Sequence, residues 1–290
     1  MKRRITSFLL LSMLYTLHLQ AFDDSDLDGV EDAYDQCPNT PFMDIVDLDG
    51  CTKRSLLATQ KKDSSPHHFD FIFGVSYSAT DYNQLNRSDT SATSLQADYY
   101  YKNISLQAST SYFRSKESGG DTNSGFYDTF IGASYKIQTT KNLKFYLGAG
   151  ILLPTYDTSL QNNNTDYKAS ISFNYYIHEK FNFFGGYSYT LINDDDVIIT
   201  DANANSIYYQ YQNTNSFDGG IGLYATKNLY VSFSYFEGES IYKGYENIKS
   251  VSLYGYYTID RNWFTTCSYA RGLSDTATDN YASLRIGYYF

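Results

Sequence analysis

Residues 69–78 read FDFIFGVSYS, and this stretch decides the fold class. Aromatic or branched apolar side chains occupy every second position from Phe69 to Tyr77, and the positions between them are mostly small or polar. This period of two is typical of a β-strand with one apolar and one polar face. The same alternation returns over residues 104–112, 143–153 and 167–177. The pattern predicts an all-β protein.

Two kinds of connection separate the predicted strands. The short ones repeat a Lys-Asn or Arg-Asn pair at 102–103, 141–142, 227–228 and 261–262, with Glu179-Lys180 as a variant. Asn tolerates the positive φ that tight hairpins require, so we expect hairpin turns there. The other connections are longer and rich in Asn, Asp, Ser, Thr and Gly, and they lie near 81–92, 115–124, 155–165, 192–206, 238–246 and 272–280. Outer-membrane barrels show this alternation of short periplasmic turns with long external loops.

These connections predict an antiparallel transmembrane β-barrel of about 12 strands over residues 69–290. The predicted strands are 69–80, 93–101, 104–114, 125–137, 143–154, 166–177, 181–191, 207–224, 229–237, 247–258, 263–271 and 281–290. An even number of strands puts both ends of the barrel in the periplasm. The stretch 207–224 is long enough to contain part of a loop.

Composition argues against a helical membrane protein and against a nucleic-acid-binding protein. Mean hydropathy is −0.44, and no segment after the N-terminus has the roughly 18 apolar residues of a membrane helix. A barrel stays polar on average because its lipid-facing and lumen-facing residues alternate. The net charge of −10 argues against nucleic acid as a partner, since phosphate binding needs a basic surface.

The first 21 residues are predicted to be a secretory signal peptide. Lys2, Arg3 and Arg4 form a basic start, a short apolar run follows, and Ala21 is a suitable cleavage residue. The alternative is an uncleaved anchor, although the apolar run is shorter than a bilayer span.

An acidic segment, residues 22–51, follows and precedes a polar linker at 52–68. Asp24, Asp26 and Asp28 alternate along the chain and lead into Gly29, which permits a sharp turn. Calcium prefers six to eight oxygen ligands, many of them carboxylates. An EF-hand does not fit, because Asp35 would replace the bidentate Glu and there is little room for an entering helix. A solvated acidic tail is the other interpretation.

The segment continues with Cys37-Pro-Asn-Thr-Pro and ends with Gly50-Cys51. It resembles a thrombospondin type 3 repeat, and it is similar to the single repeats of bacterial envelope proteins related to OmpA-type porins. The resemblance implies a Cys37–Cys51 disulfide and Ca²⁺ as cofactor, with the Val30 carbonyl and five carboxylates as ligands: Asp24, Asp26, Asp28, Asp32 and Asp35. Such repeats are associated with cell adhesion in animals, so adhesion is a further expectation.

The last strand alternates through Ile286 and Tyr288 and ends the sequence on Phe290. This ending resembles the targeting signal of outer-membrane proteins that the barrel-assembly machinery inserts. The resemblance implies that machinery as a partner during biogenesis, with outer-membrane lipid and lipopolysaccharide as later partners. A soluble β-sandwich or propeller with the same alternation is the alternative fold.

Few residues suggest catalysis, so we expect that this protein is not an enzyme. Nucleophilic catalysis usually needs a base such as His beside the nucleophile, and only His67, His68 and His178 remain after signal removal. The run Asp194–Asp196 is either a solvated loop tip or a site for a divalent cation that bridges lipopolysaccharide. Cys267, predicted to lie mid-strand, is interpreted as an inert small residue.

The predicted lumen face carries mostly small polar residues and Tyr: Ser76, Tyr100, Ser109, Gly148, Ser172, Asn174, Tyr176, Ser188, Ser234, Tyr254 and Tyr256. Its charges have both signs: Lys136, Lys144, Lys168 and Arg285 against Asp70, Asp98, Asp128 and Asp218. Ion-selective pores use rings of one sign. We therefore expect a pore or transporter for small neutral or weakly charged solutes, such as sugar-like or nucleoside-like molecules, unless these side chains simply fill the barrel. The alternative is a structural, envelope-interaction or adhesion protein that its barrel anchors, with the repeat contacting a periplasmic protein.

Overall fold

The computed structural model describes residues 67–82, 86–120, 122–155, 164–178, 180–200 and 206–290. The predicted signal peptide, calcium ligands and Cys37–Cys51 disulfide lie outside the described residues. Among the residues that it does describe, no helix is long and apolar enough to cross a membrane.

Fifteen strands make up the described regular structure. They are β1 (His67–Tyr82), β2 (Asn86–Tyr101), β3 (Ile104–Glu117), β4 (Thr122–Phe126), β5 (Thr129–Gln138), β6 (Leu143–Leu153), β7 (Asp166–His178), β8 (Phe181–Leu191), β9 (Val197–Thr200), β10 (Ser206–Tyr209), β11 (Thr214–Tyr224), β12 (Leu229–Gly238), β13 (Ile248–Thr258), β14 (Trp263–Gly272) and β15 (Asn280–Tyr289).

Twelve of these strands close into one antiparallel barrel. The sheet runs β2-β1-β15-β14-β13-β12-β11-β8-β7-β6-β5-β3, and pairing of β2 with β3 closes it. β4 adds only to β3, and β9 and β10 form a separate two-stranded sheet. The predicted all-β class and the strand number are therefore confirmed.

Strand register fixes which residues face outward. Phe71 pairs with Tyr288 and Val75 pairs with Leu284 across the β1–β15 seam. The side chains in this row are exposed, with 52% for Phe71 and 57% for Leu284. The alternate row of β1 includes Asp70, which is only 6% exposed. An apolar outer face over a polar inner face is the reverse of a water-soluble barrel and is the pattern of a barrel in lipid.

Several predicted strand boundaries were wrong. Residues 81–92 were predicted to be a long loop, yet β1 and β2 stay paired as far as Tyr82 and Asn86, with only residues 83–85 between the two strands. β1 also begins two residues earlier than predicted, at His67. Polar Ser, Thr and Asp residues suggested a loop, but an antiparallel pair of strands can continue with polar side chains that face water.

The predicted strand 125–137 is split into β4 and β5. Tyr112 pairs with Phe126 and Ser109 with Phe130, so residues 127–129 lie opposite residues 110–111. This extra residue is a β-bulge, which bends the strand and redirects a side chain. The predicted strand 207–224 is also split, because residues 206–209 pair with β9 and the barrel strand begins at Thr214.

The short connections gather at one end of the barrel, which we call the short-turn end; the opposite end is the long-loop end. In three turns, the residue just before the Lys or Arg of the turn accepts hydrogen bonds from backbone N–H groups through its side chain. Thr140 accepts from Leu143 N–H at 3.0 Å, and Thr226 accepts from Leu229 N–H at 3.0 Å. Asp260 accepts from two N–H groups, both at 2.8 Å. Such side-chain acceptors stabilise turns.

The predicted role of Asn in these turns was wrong in one respect. In the β2–β3 turn the positive φ (53°) lies on Lys102, and no Asn of the described turns has one. A two-residue turn of the II′ type needs the positive φ at its first central residue, which explains this placement. Two of these Asn residues accept hydrogen bonds through their backbone carbonyls, as any residue could: Asn142 O accepts from Tyr176 N–H at 2.8 Å and Asn228 O from Thr258 N–H at 2.9 Å.

The described chain enters and leaves the barrel at the short-turn end. Asp70 pairs with Tyr289, and Phe290 N–H donates to Phe69 O at 2.9 Å. Ile286 and Phe290 lie on the outward face, 42% and 69% exposed, and Tyr288 packs beside Phe290. Their role in targeting stays a prediction.

Candidate functional site: the barrel lumen

Two cavities occupy the barrel lumen. One, of about 550 Å³, is lined by strands β1–β3 and β13–β15. The other, of about 730 Å³, is lined mainly by β3, β5–β8 and β11. Asp128, which lies in the β-bulge after β4, lines both cavities. The two linings together include every strand of the barrel except β12. The lumen therefore contains a large space that solvent can enter.

Paired serines form much of the lumen wall. Neighbouring strands place Ser Oγ atoms 2.7 Å apart in four pairs: Ser105–Ser134, Ser188–Ser216, Ser234–Ser252 and Ser268–Ser283. Within a pair one hydroxyl donates to the other, and the second hydroxyl keeps its own proton for water or a solute. The wall therefore presents hydrogen-bonding groups at several heights and on several sides.

Aromatic rings lie flat against this wall over glycines. Phe130 covers Gly132 and Gly150, and Phe264 covers Gly287. A side chain at any of these glycines would overlap the ring that lies above it. Because the rings take the space of the missing side chains, they add an apolar surface to the lumen while narrowing it little.

The lumen at the short-turn end is lined by tyrosines. Phe264 stacks between Tyr256 and Tyr289, with ring centroids 5.4 and 4.6 Å away, and the two Tyr hydroxyls are hydrogen-bonded. On another part of the wall Lys144 Nζ lies 5.1 Å from the ring centre of Tyr176. Aromatic faces of this kind bind the apolar side of a solute or a cation.

One wall carries a charged network around Arg285. Its guanidinium hydrogen-bonds to Gln96, whose Nε2 donates to Asp98 at 2.7 Å. A side chain at Gly74 would meet Arg285 Cγ at 2.8 Å, so this glycine makes room for the arginine. Asp98 lies directly opposite Asp70, and both are buried.

Charges of both signs also line the facing wall. Lys168 and Asp218 both line the larger cavity, and Gly186 leaves space for the Asp218 carboxylate. Nearer the long-loop end, Asp166 accepts from Asn193 N–H at 2.8 Å. Neither wall therefore carries a charge of one sign only.

The Asp194–Asp196 run does not converge on one point. Asp194 accepts from Asn164 N–H at 3.1 Å. Asp196 accepts from the Tyr208 hydroxyl at 2.7 Å and from Tyr211 N–H at 3.0 Å. The Tyr208 hydrogen bond, followed by that of the Tyr211 N–H, lowers the pKa of the Asp196 carboxyl below its ordinary value. Asp196 thus ties the long loop to its own β9–β10 hairpin, and Asp194 ties it to the segment before β7.

The remaining candidate residues lie apart from the lumen centre. His67 and His68 begin β1 and stack on Tyr101 and Tyr100, with centroids 4.5 and 4.4 Å apart. His178 ends β7, at the short-turn end. Cys267 is an exposed free thiol in β14. Within the described part of the chain, no group of His, Cys, Asp or Glu is arranged to hold a metal ion.

Most residues predicted to face the lumen do line its cavities: Ser76, Ser109, Asp128, Tyr254 and Arg285 the smaller one, and Gly148, Lys168, Ser172, Ser188 and Asp218 the larger one. The sequence reasoning missed the lumen phenylalanines. A signal for them exists in the spacing Phe130-x-Gly132 and Phe236-x-Gly238, which puts the ring and the glycine on the same face of a strand.

Comparisons with known proteins support the architecture. No protein-family model matches the chain, and no curated protein matches it. Among solved structures, it is similar to an outer-membrane channel from Pseudomonas putida F1, with a TM-score of 0.64, 11% identity, and coverage of 77% of this chain and 95% of that one. The NanC porin gives a TM-score of 0.48 with 14% identity, over 77% of this chain and 98% of that one. The similarity to the Pseudomonas putida channel shows that the chain has the fold of an outer-membrane β-barrel.

Proposed function

We propose that this protein is an outer-membrane pore for small neutral or weakly charged solutes. The observation that carries the proposal is the pair of cavities, about 550 and 730 Å³, inside a closed barrel whose wall presents hydroxyls and mixed charges. Pockets of a few hundred Å³ hold small solutes. A barrel whose side chains filled its lumen would leave no such space.

The outer surface supports a membrane location. Large apolar side chains lie exposed around the barrel, from Phe73 on β1 through Ile171 on β7 to Leu253 on β13. Such a continuous apolar surface would aggregate in water and is stable in lipid. By the usual asymmetry of outer-membrane barrels, the short-turn end faces the periplasm and the long loops face outward.

The lumen chemistry favours polar, uncharged solutes. Arg285 has Asp98 and Gln96 as neighbours, and Lys168 shares its cavity with Asp218. Selective ion pores instead line themselves with one sign of charge. Serine hydroxyls together with flat Phe130 and Phe264 rings suit solutes that have hydroxyl groups and apolar faces, such as sugars or nucleosides.

Solute flux into liposomes tests this proposal. Purified protein in vesicles should admit small neutral sugars at a rate that falls with solute size. Ser172→Trp, in the wall of the larger cavity, should slow the flux. Ile171→Trp is the matched control, because Ile171 lies on the outward face and is 45% exposed. Vesicles as impermeable as protein-free ones, or equal effects of the two variants, would contradict the pore.

We also propose that residues 22–51 bind Ca²⁺ in the periplasm. Support comes from the alternating Asp24, Asp26 and Asp28 before a glycine, which supply the oxygen ligands that Ca²⁺ prefers, and from the entry of the chain into β1 at the short-turn end. Calorimetric titration of the full protein should show Ca²⁺ binding that Asp26→Ala with Asp28→Ala abolishes. Unchanged heat in that variant would remove the ligand assignment.

A further inference from the structure

A basic patch lies on the outward face of β2 and β3 at the long-loop end. It consists of Arg87, Arg114 and Lys116, all exposed. Lys116 lies opposite Asp89, and Arg114 lies opposite Ser91 two residues along the same pair of strands. Arg87 is two residues beyond Asp89 on β2, so the three basic side chains share one face.

The patch begins where the apolar outer surface ends. The outward row of β3 runs through Leu106 and Tyr112, both 46% exposed, and continues with Arg114 and Lys116. The Tyr112 ring packs edge-on against Phe126, with centroids 5.3 Å apart. Aromatic residues mark the membrane interface of outer-membrane barrels. The basic residues therefore lie at the height of the lipid headgroups.

The basic side chains of this patch outnumber the carboxylates on the same face. Arg87 pairs with Asp89 at 3.1 Å, and Asp89 also accepts from the Tyr77 hydroxyl at 2.7 Å. Across the described residues, neither Arg114 nor Lys116 makes an ion pair or a side-chain hydrogen bond. Asp81 lies opposite Arg87 on the same face, so three positive and two negative side chains leave one net positive charge there, on a chain whose net charge is −10.

The rest of the outer surface differs from this patch. The described outward rows of β5–β8 contain no Lys or Arg. On β13, Lys249 lies 3.7 Å from the Glu246 carboxylate, whereas Arg271 on β14 donates to the uncharged amide of Asn280 at 3.0 Å and keeps its positive charge. The largest group of basic side chains on the described outward rows is therefore the one on β2 and β3.

We propose that this patch binds the phosphate groups of a phosphorylated glycolipid headgroup of the lipid A type in the outer leaflet. The inference rests on the proposed outer-membrane location and not on pore activity. A guanidinium forms paired hydrogen bonds with phosphate, and an ammonium adds a mobile point charge. The apolar row below, from Leu106 to Tyr112, offers the acyl chains a surface next to the bound headgroup.

Native mass spectrometry of the intact protein in detergent, titrated with bisphosphorylated lipid A, tests the proposal. Arg114→Gln with Lys116→Gln should weaken binding by about tenfold or more, since both charged contacts are lost. The control pair, Lys141→Gln with Lys227→Gln, removes the same charge at the short-turn end and should leave binding unchanged. Lipid A stripped of phosphates should bind the wild type as weakly as bisphosphorylated lipid A binds the patch variant.

Three outcomes would overturn the proposal. The first is equal affinity of the wild type and the patch variant, and the second is equal weakening by the control pair. The third is full competition by inorganic phosphate at concentrations comparable to the lipid, which would show a general anion site. Unfolding of each variant in urea gives a check on folding. A protein that conducts no solute but loses lipid A binding in the patch variant would refute the pore alone.

Discussion

Gly287→Ala should destabilise the barrel because the Phe264 ring occupies the space of the new methyl group. Phe264 is 4% exposed and lies between the Tyr256 and Tyr289 rings. A Cβ atom at Gly287 would overlap three atoms of the Phe264 ring. The ring is held on both sides, so it cannot move away without breaking its stacking contacts.

The expected loss follows from the cost of overpacking. Forcing a methyl group into a well-packed site costs about 1–3 kcal/mol. In a Phe264→Ala background the overlap disappears, so Gly287→Ala should cost less there. The two substitutions should therefore be coupled by at least about 1 kcal/mol in a double-mutant cycle. Gly119→Ala is the control, because nothing lies within 4 Å of a Cβ at that position.

The chain supplies its own probe for this measurement. Trp263 is its single tryptophan, and its ring lies 4.8 Å from that of Tyr288, next to the seam in question. Urea unfolding of the protein in lipid vesicles, followed by tryptophan fluorescence, gives the free energy of unfolding. The account of ring–glycine packing is refuted if Gly287→Ala has the urea midpoint of the wild type. It is also refuted if the two substitutions change the free energy of unfolding additively, without coupling.

Three more predictions concern a turn, a loop and the C-terminus. Asp260→Ala should lower the free energy of unfolding by about 1 kcal/mol, because two N–H groups lose their acceptor. Asp260→Asn should keep most of the stability, since its side chain can still accept. Equal urea midpoints for Asp260→Ala and the wild type would exclude this cap. Because the folded-state pKa of Asp196 is lowered, its stabilising contribution is present above the ordinary value of 3.8 and is lost as the pH falls through the lowered one. Hydrogen exchange of residues 206–211, corrected for intrinsic rates, should therefore speed up over that range, and Asp196→Asn should remove this pH dependence; no change in the wild type would argue against it. Phe290→Ala should reduce the amount of protein in the outer membrane while refolding in vitro persists, and an unchanged membrane fraction would refute the targeting role.

The sequence predicts the barrel well because a membrane imposes a simple pattern. Each crossing strand must show apolar side chains to lipid at alternate positions, as in Phe69 to Tyr77. The short turns are just as visible, since the chain must reverse within two to four residues, and their Lys-Asn pairs mark them. These local constraints determine the number of strands and the end of the barrel at which its first and last strands lie.

Other features depend on register between strands and were not predictable. The pairing of β1 with β2 beyond the apolar layer uses polar residues such as Asp81 and Arg87, whose composition is that of a loop. The alternation already places Asp128 on the lumen face, but the bulge at residues 127–129 appears only when β3 is aligned with both β4 and β5. Phe264 and Gly287 are far apart in sequence, and they meet because β14 pairs with β15.

Single-channel recording in a planar bilayer tests the central claim that this lumen is an open path. The account predicts discrete current steps in symmetric salt. It also predicts a reversal potential near zero in a salt gradient, because Arg285 and Lys168 share the lumen with Asp98, Asp128 and Asp218. A protein that inserts, resists urea as a folded barrel and yet gives no current steps would contradict the claim.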